Sequence, residues 1–205
     1  MEASVAAVIE TPRLIFLFSG HMIDKPDRKL PRFPPECEPR ITAAIDATLA
    51  GLGAGPADLG ITQGACGGDV LFAEAMLKRG AALELLLPLP EEAFVVRSVD
   101  FKKASSAVPD RWRDRFHAVR QQPSVRTSVM PAERGSEESD GVFERCNLWM
   151  LERALSFGAD KVRFICVWNG DGGDGPGGTD HMREAVQKSG GAECWIDTRK
   201  LCQQR

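Results

Sequence analysis

Apolar residues fall into short unbroken runs separated by longer stretches of helical spacing, and from Leu14 onwards the two alternate. Leu14 to Phe18 (LIFLF) runs into Ser19-Gly20-His21, the pattern of a strand buried on both faces and followed by a turn. Five prolines from Pro26 to Pro39 then predict a loop and leave little room for a helix before Arg40. Ile41, Ala44, Ile45, Thr48, Leu49 and Leu52 recur at the spacing of an amphipathic helix, closed by Gly51 and Gly53. A short apolar run from Leu59 leads into the cluster Gly64, Gly67, Gly68, and Asp69 to Arg79 follows as a helix apolar in nearly every direction. Such a helix is the most buried of a fold. Leu83 to Leu89 reads as a third strand, stopped by Pro88 and Pro90.

Residues 91–140 are irregular, with one helix anchored by Trp112, Phe116 and Val119 and otherwise basic through Arg111, Arg113, Arg115 and Arg120. That face is either a solvated surface or a lid over something acidic. Val125 to Met130 reads as a strand, polar Pro131 to Gly141 as a flexible loop, and Val142 to Phe157 as a helix. Val162 to Trp168, Asp180 to Lys188 and Glu193 to Ile196 complete the order as strand, helix, strand. The alternation predicts an α/β chain: a Rossmann-like, doubly wound, mainly parallel sheet with helices on both faces. One domain over residues 1–205 is expected, with 1–12 as a mobile leader. Ligands of such sheets bind beyond the carboxyl ends of the strands, where strand order reverses. Four turns should therefore meet there: 19–24, 64–69, the residues after Pro88, and 169–179.

Composition narrows the partners. A net charge of −3 offers no global attraction to a polyanion, which disfavours nucleic acid and membrane surfaces and leaves small anions open. No window approaches the length of a membrane span, and the N-terminal stretch lacks the form of a secretory signal. The six cysteines show no CxxC pair and mostly lie inside apolar runs, so they read as small hydrophobes in a reducing cytoplasm. His21, His117 and His181 lack ligand-like spacing, and neither a metal nor a cofactor is expected. Glu74 interrupts the apolar helix and needs a partner if buried.

Two glycine-rich turns carry the candidate chemistry. Gly64, Gly67 and Gly68 stand where a strand hands over to a helix, a place where backbone N–H groups can cradle a phosphate. The run Asn169 to Thr179 (NGDGGDGPGGT) is a second such cradle, with Gly177 and Gly178 bringing N–H groups close and Thr179 or Asp180 able to cap the next helix. Ser19, Gly20 and His21 end the first strand at the same edge, and Asp69 either caps its helix or meets a ribose hydroxyl. Two cradles at one edge suit a phosphate plus a ribose or base.

GACGGDVLFAEAML resembles the glycine-rich turn and helix of the SLOG superfamily, which joins DNA-processing protein A to the lonely-guy phosphoribohydrolases, often misnamed lysine decarboxylases. SGH after the first strand also fits that group. Pro176-Gly177-Gly178 with Glu184 matches the PGG and Glu of the lonely-guy motif, while Asp180 and His181 replace its Gly-Thr pair and the preceding loop is longer. The resemblance implies Arg145, from FERCNLWM, as a phosphate-binding arginine and Glu184 as the carboxylate that steadies an oxocarbenium-like sugar.

The leading expectation is binding, as sensing or processing, of a nucleotide or nucleotide-derived ligand, with enzymatic activity left open. One alternative is a phosphoribohydrolase that cleaves the N-glycosidic bond of a nucleoside monophosphate. Another is single-stranded DNA binding, against which the acidic balance and the lack of an aromatic-basic groove both count. The reading allows a homodimer without requiring one.

Overall fold

The computed structural model describes residues 11–25, 28–100, 111–134, 141–171 and 178–202. Residues 1–10 of the expected leader, most of the Pro131 to Gly141 loop, and Gly177 lie outside them.

Six strands form one parallel sheet: β1 (Ile15–Gly20), β2 (Leu59–Thr62), β3 (Ala82–Leu87), β4 (Val125–Val129), β5 (Val162–Trp168) and β6 (Ala192–Asp197), in spatial order β4-β3-β2-β1-β5-β6. Register runs Ile15 to Leu59 and Val162, Leu59 to Ala82, Leu83 to Val125, and Arg163 to Ala192. The central strands are continuous apolar runs because both faces are covered. β4, at one edge, is only partly buried.

Helices α1 (Glu38–Gly51), α2 (Gly68–Lys78), α4 (Arg111–Arg120) and α7 (Thr198–Cys202) pack against one another on one face; α5 (Val142–Leu155) and α6 (Thr179–Lys188) pair on the other. The short helix α3 (Glu91–Phe94) runs directly into a wide π-type turn at Val95–Val99. The chain builds outward from β1 to β4, then returns past β1 to place β5 and β6. Strand order therefore reverses between β1 and β5. The doubly wound, Rossmann-like α/β architecture expected from the sequence is the one observed.

α1 begins at Glu38, slightly before the proline-rich stretch seemed to permit, because Pro39 occupies its first turn, where the missing N–H has no helical partner. α2 is the most enclosed helix, buried at Gly68 through Ala73 and at Ala75 and Met76. Glu74 on its outer side receives both arms of Arg115 at 2.5 and 2.7 Å, and Arg115 also reaches Glu38. Arg120 meets Glu91. The basic face of α4 thus covers the protein's own acids, over an anchor of buried Trp112, Phe116 and Val119.

The cysteines depart from expectation. Cys37, just before α1, is disulfide-bonded to Cys202, the last residue of α7, across 165 positions. No local spacing could announce a pair so distant in sequence. Cys66, Cys146, Cys166 and Cys194 stand outside the disulfide, and burial pushes the thiols of Cys146 and Cys166 well up.

Candidate functional site

The junction of β1 and β5 is pinned by side chains. His21 donates its backbone N–H to the Val167 carbonyl, continuing the β1–β5 ladder, and its Nε2 lies 3.1 Å from the Asn169 N–H and 2.9 Å from Asn169 Oδ1. Asn169 Nδ2 in turn donates to Asp171, whose N–H returns to Asn169 Oδ1. Both strand ends at the crossover are held as one unit.

The glycine turn after β2 is used differently from the cradle read in the sequence. Gly64 and Ala65 donate their N–H groups to Asp69 Oδ2, both at 3.2 Å. Cys66 donates to the Ser98 carbonyl in the wide turn, and Gly68 donates to the His21 carbonyl at 3.1 Å. Four N–H groups that could have met a phosphate are thereby committed to the fold. Gly67 has a φ of +93°, and a Cβ there would lie 2.5 Å from the Ile23 nitrogen. The glycines let this turn press against the loop after β1. Asp69, buried beneath it, has its carboxyl raised from 3.8 to about 6 by burial; the N–H groups of Ala65 and Gly64 oppose that rise.

Above the β1–β5 crossover lies a cleft of about 460 Å³. Ser19, Gly20, His21, Asp69, Gly178 and Thr179 line it. Gly64, Gly67 and Gly68 shape the turn behind without lining it, and Gly177 precedes the described part of α6. Thr179 opens α6 and is buried, its hydroxyl 3.4 Å from that of Ser19, so this helix directs its amino end at the cleft. Deeper in, Gln63 at the end of β2 donates to Asn147 of α5 at 2.8 Å. Phe143 and Met150 from the same face of α5, with Trp168 from β5, supply apolar walls. Lys25, Arg28 and Arg32 from the loop after β1 line the cleft as well, as does Arg97 from the wide turn, stacked over Phe143. Asp24 accepts from the Arg32 and Phe33 N–H groups and closes that loop.

Arg145 and Glu184 are not brought to this cleft. Arg145 lies away from the face of α5 that carries Phe143, Asn147 and Met150, by the 100° step of a helix. Glu184 is 60% exposed and pairs with Lys188 one turn on. The carboxylate that does line the cleft is Asp69, with Asp24 at the loop.

Sequence reasoning missed Gln63, Asn147 and the cationic rim. Asn147 left a trace: it is a polar residue on the buried stripe of α5, only 2% exposed. The rim cations left none, since they sit in a proline-broken loop and an irregular turn. Among the described residues, no group of three metal-ligating side chains is gathered, and no helix is long and apolar enough to cross a membrane.

Comparison with family models finds no match, and comparison with curated proteins finds none either. Among solved structures, the chain is similar to DNA processing protein A from Streptococcus pneumoniae at 15% identity and a TM-score of 0.39. The similarity covers 96% of this chain, which spans 63% of that structure.

Proposed function

We propose that the cleft binds a small phosphate-bearing ligand of the nucleotide class, with the phosphate at the Ser19–Thr179 end. The observation that carries this reading is the meeting, at the point where strand order reverses, of the α6 amino terminus with a loop bearing Lys25, Arg28 and Arg32. A helix amino terminus presents unpaired N–H groups and a partial positive charge to an anion. The surrounding cations strengthen that field although the whole chain is acidic. A cleft of this volume falls in the range that encloses ligands of nucleotide size.

The resemblance to the SLOG superfamily supports the same class of ligand, but the roles shift. The phosphate seat is the amino end of α6, and the first glycine turn is a structural brace. Phosphoribohydrolase chemistry through Arg145 and Glu184 has no support from their placement, so binding is the reading preferred here. Isothermal titration with ribose 5-phosphate, adenosine 5′-monophosphate and inorganic phosphate tests it. Saturable binding of the sugar phosphates, weakened by salt, is the expected result. Absence of binding by all three at millimolar concentration contradicts it.

A further inference from the structure

Cys37 and Cys202 join the end of the loop that lines the cleft to α7, a helix that touches the turn after β5. Cys37 ends the loop that carries Lys25, Arg28 and Arg32, and it is 1% exposed. Cys202 ends α7, a helix of five residues, too short to persist without tertiary fastening. Among the described residues its other fastenings are Arg40, which donates to the Leu201 carbonyl at 3.0 Å, Leu201 packed on the core, buried Thr198, and Arg199 paired with Asp197 at the end of β6. From α7, Arg199 lays its guanidinium on Gly170, so close that a Cβ there would stand 2.7 Å from Nη2. Gly170 directly follows Asn169, the residue that holds His21 at the crossover.

We propose that the Cys37–Cys202 bond is a reversible redox clasp on the cleft: exchange with a dithiol opens it, frees α7, and loosens the Asn169–Asp171 turn and the ligand seat beside it. The effect on ligand rests on the binding reading given above; the effect on the turn does not.

Cys202 is the less buried residue of the pair, so the attack is assigned to its side of the bond. A thiolate of the dithiol attacks Cys202 Sγ; the S–S bond breaks, and its electron pair leaves with Cys37, which takes a proton from solvent. The second thiolate of the dithiol then attacks its own sulfur in the mixed disulfide and displaces Cys202 as a thiolate, which is also protonated. The dithiol is oxidised to a disulfide and the protein gains two thiols. A small-molecule disulfide runs the exchange in reverse.

The test uses the full chain before and after dithiothreitol. Alkylation under denaturing conditions, followed by mass spectrometry, should label four cysteines before reduction, those outside the disulfide, and all six afterwards. Hydrogen exchange at 169–171 should accelerate about tenfold on reduction, and ribose 5-phosphate should bind about tenfold more weakly. Cys202→Ser should reproduce the reduced state and no longer respond to the reductant. Six labelled cysteines before reduction overturn the clasp. So does exchange that quickens only within 198–202 while affinity holds. If ribose 5-phosphate binds neither form, the binding reading fails by itself, and exchange at 169–171 alone decides the clasp: acceleration supports it, and no change overturns it.

Discussion

The two glycine-rich turns of this chain look alike in sequence, yet the first is consumed by the fold while the helix that follows the second, α6, starts at the cleft. The turn after β2 spends its N–H groups internally, on Asp69, Ser98 and His21. The turn before α6 opens a ten-residue helix whose first residue, Thr179, lines the cleft. Glycine content reports that a backbone must turn tightly or approach another segment. Whether the amides are left over for a ligand depends on which acceptors surround them. The first turn has a buried carboxylate and two carbonyls within reach, whereas Gly178 and Thr179, at the start of α6, line a cleft rimmed by cations.

That contrast can be broken most forcefully at Gly67. Gly67→Ala places a Cβ against the Ile23 nitrogen at a positive φ and should cost about 2–4 kcal/mol in urea denaturation. An unchanged midpoint would show that the first turn is not a tightly packed brace.

Asp69 sharpens the same point through pH. Its folded pKa, near 6, lies above the ordinary 3.8, so the protonated carboxyl favours the fold. That advantage is complete below pH 4 and is lost as pH rises through 6. Asp69→Asn, which keeps an acceptor for Gly64 and Ala65 without the charge, should therefore stabilise the protein by about 1–3 kcal/mol at pH 8 and make little difference below pH 4. Thermal melts of the two proteins across that range check it. A variant less stable at pH 8 would mean that the charge itself holds the turn.

At the second turn, Thr179→Val should leave the melting temperature nearly unchanged while weakening ribose 5-phosphate roughly tenfold, about 1.4 kcal/mol, the worth of one hydrogen bond to a charged group. Equal loss of stability and affinity would reduce Thr179 to a packing residue. The smallest effects belong to Arg145→Gln and Glu184→Gln. Each should change affinity less than about twofold, and Glu184→Gln should shift stability by less than about 0.5 kcal/mol, because its ion pair is exposed. A large loss of affinity in either would return those residues to the site.

Much of the fold was legible because each central strand is an apolar run and each main helix a periodic stripe. α3 and α7 were not, being too short to set up a period. The site was half legible. Ser19, Gly20, His21, Asp69, Gly178 and Thr179 stand at strand ends or helix starts, which topology brings to one edge. Lys25, Arg28, Arg32 and Arg97 reach the cleft only through loop geometry, which one-dimensional spacing does not encode. Arg145 and Glu184, implied by a motif, stand on α5 and α6 and do not line the cleft.

The central claim is that the ligand's phosphate is seated at α6 and not at the turn after β2. Backbone amide NMR during titration with ribose 5-phosphate tests it most directly. Saturable shifts at Ser19, His21 and Thr179 with Gly64 to Gly68 little moved are expected; shifts centred on Gly64 to Gly68, with Thr179 silent, would place the phosphate at the turn after β2 instead.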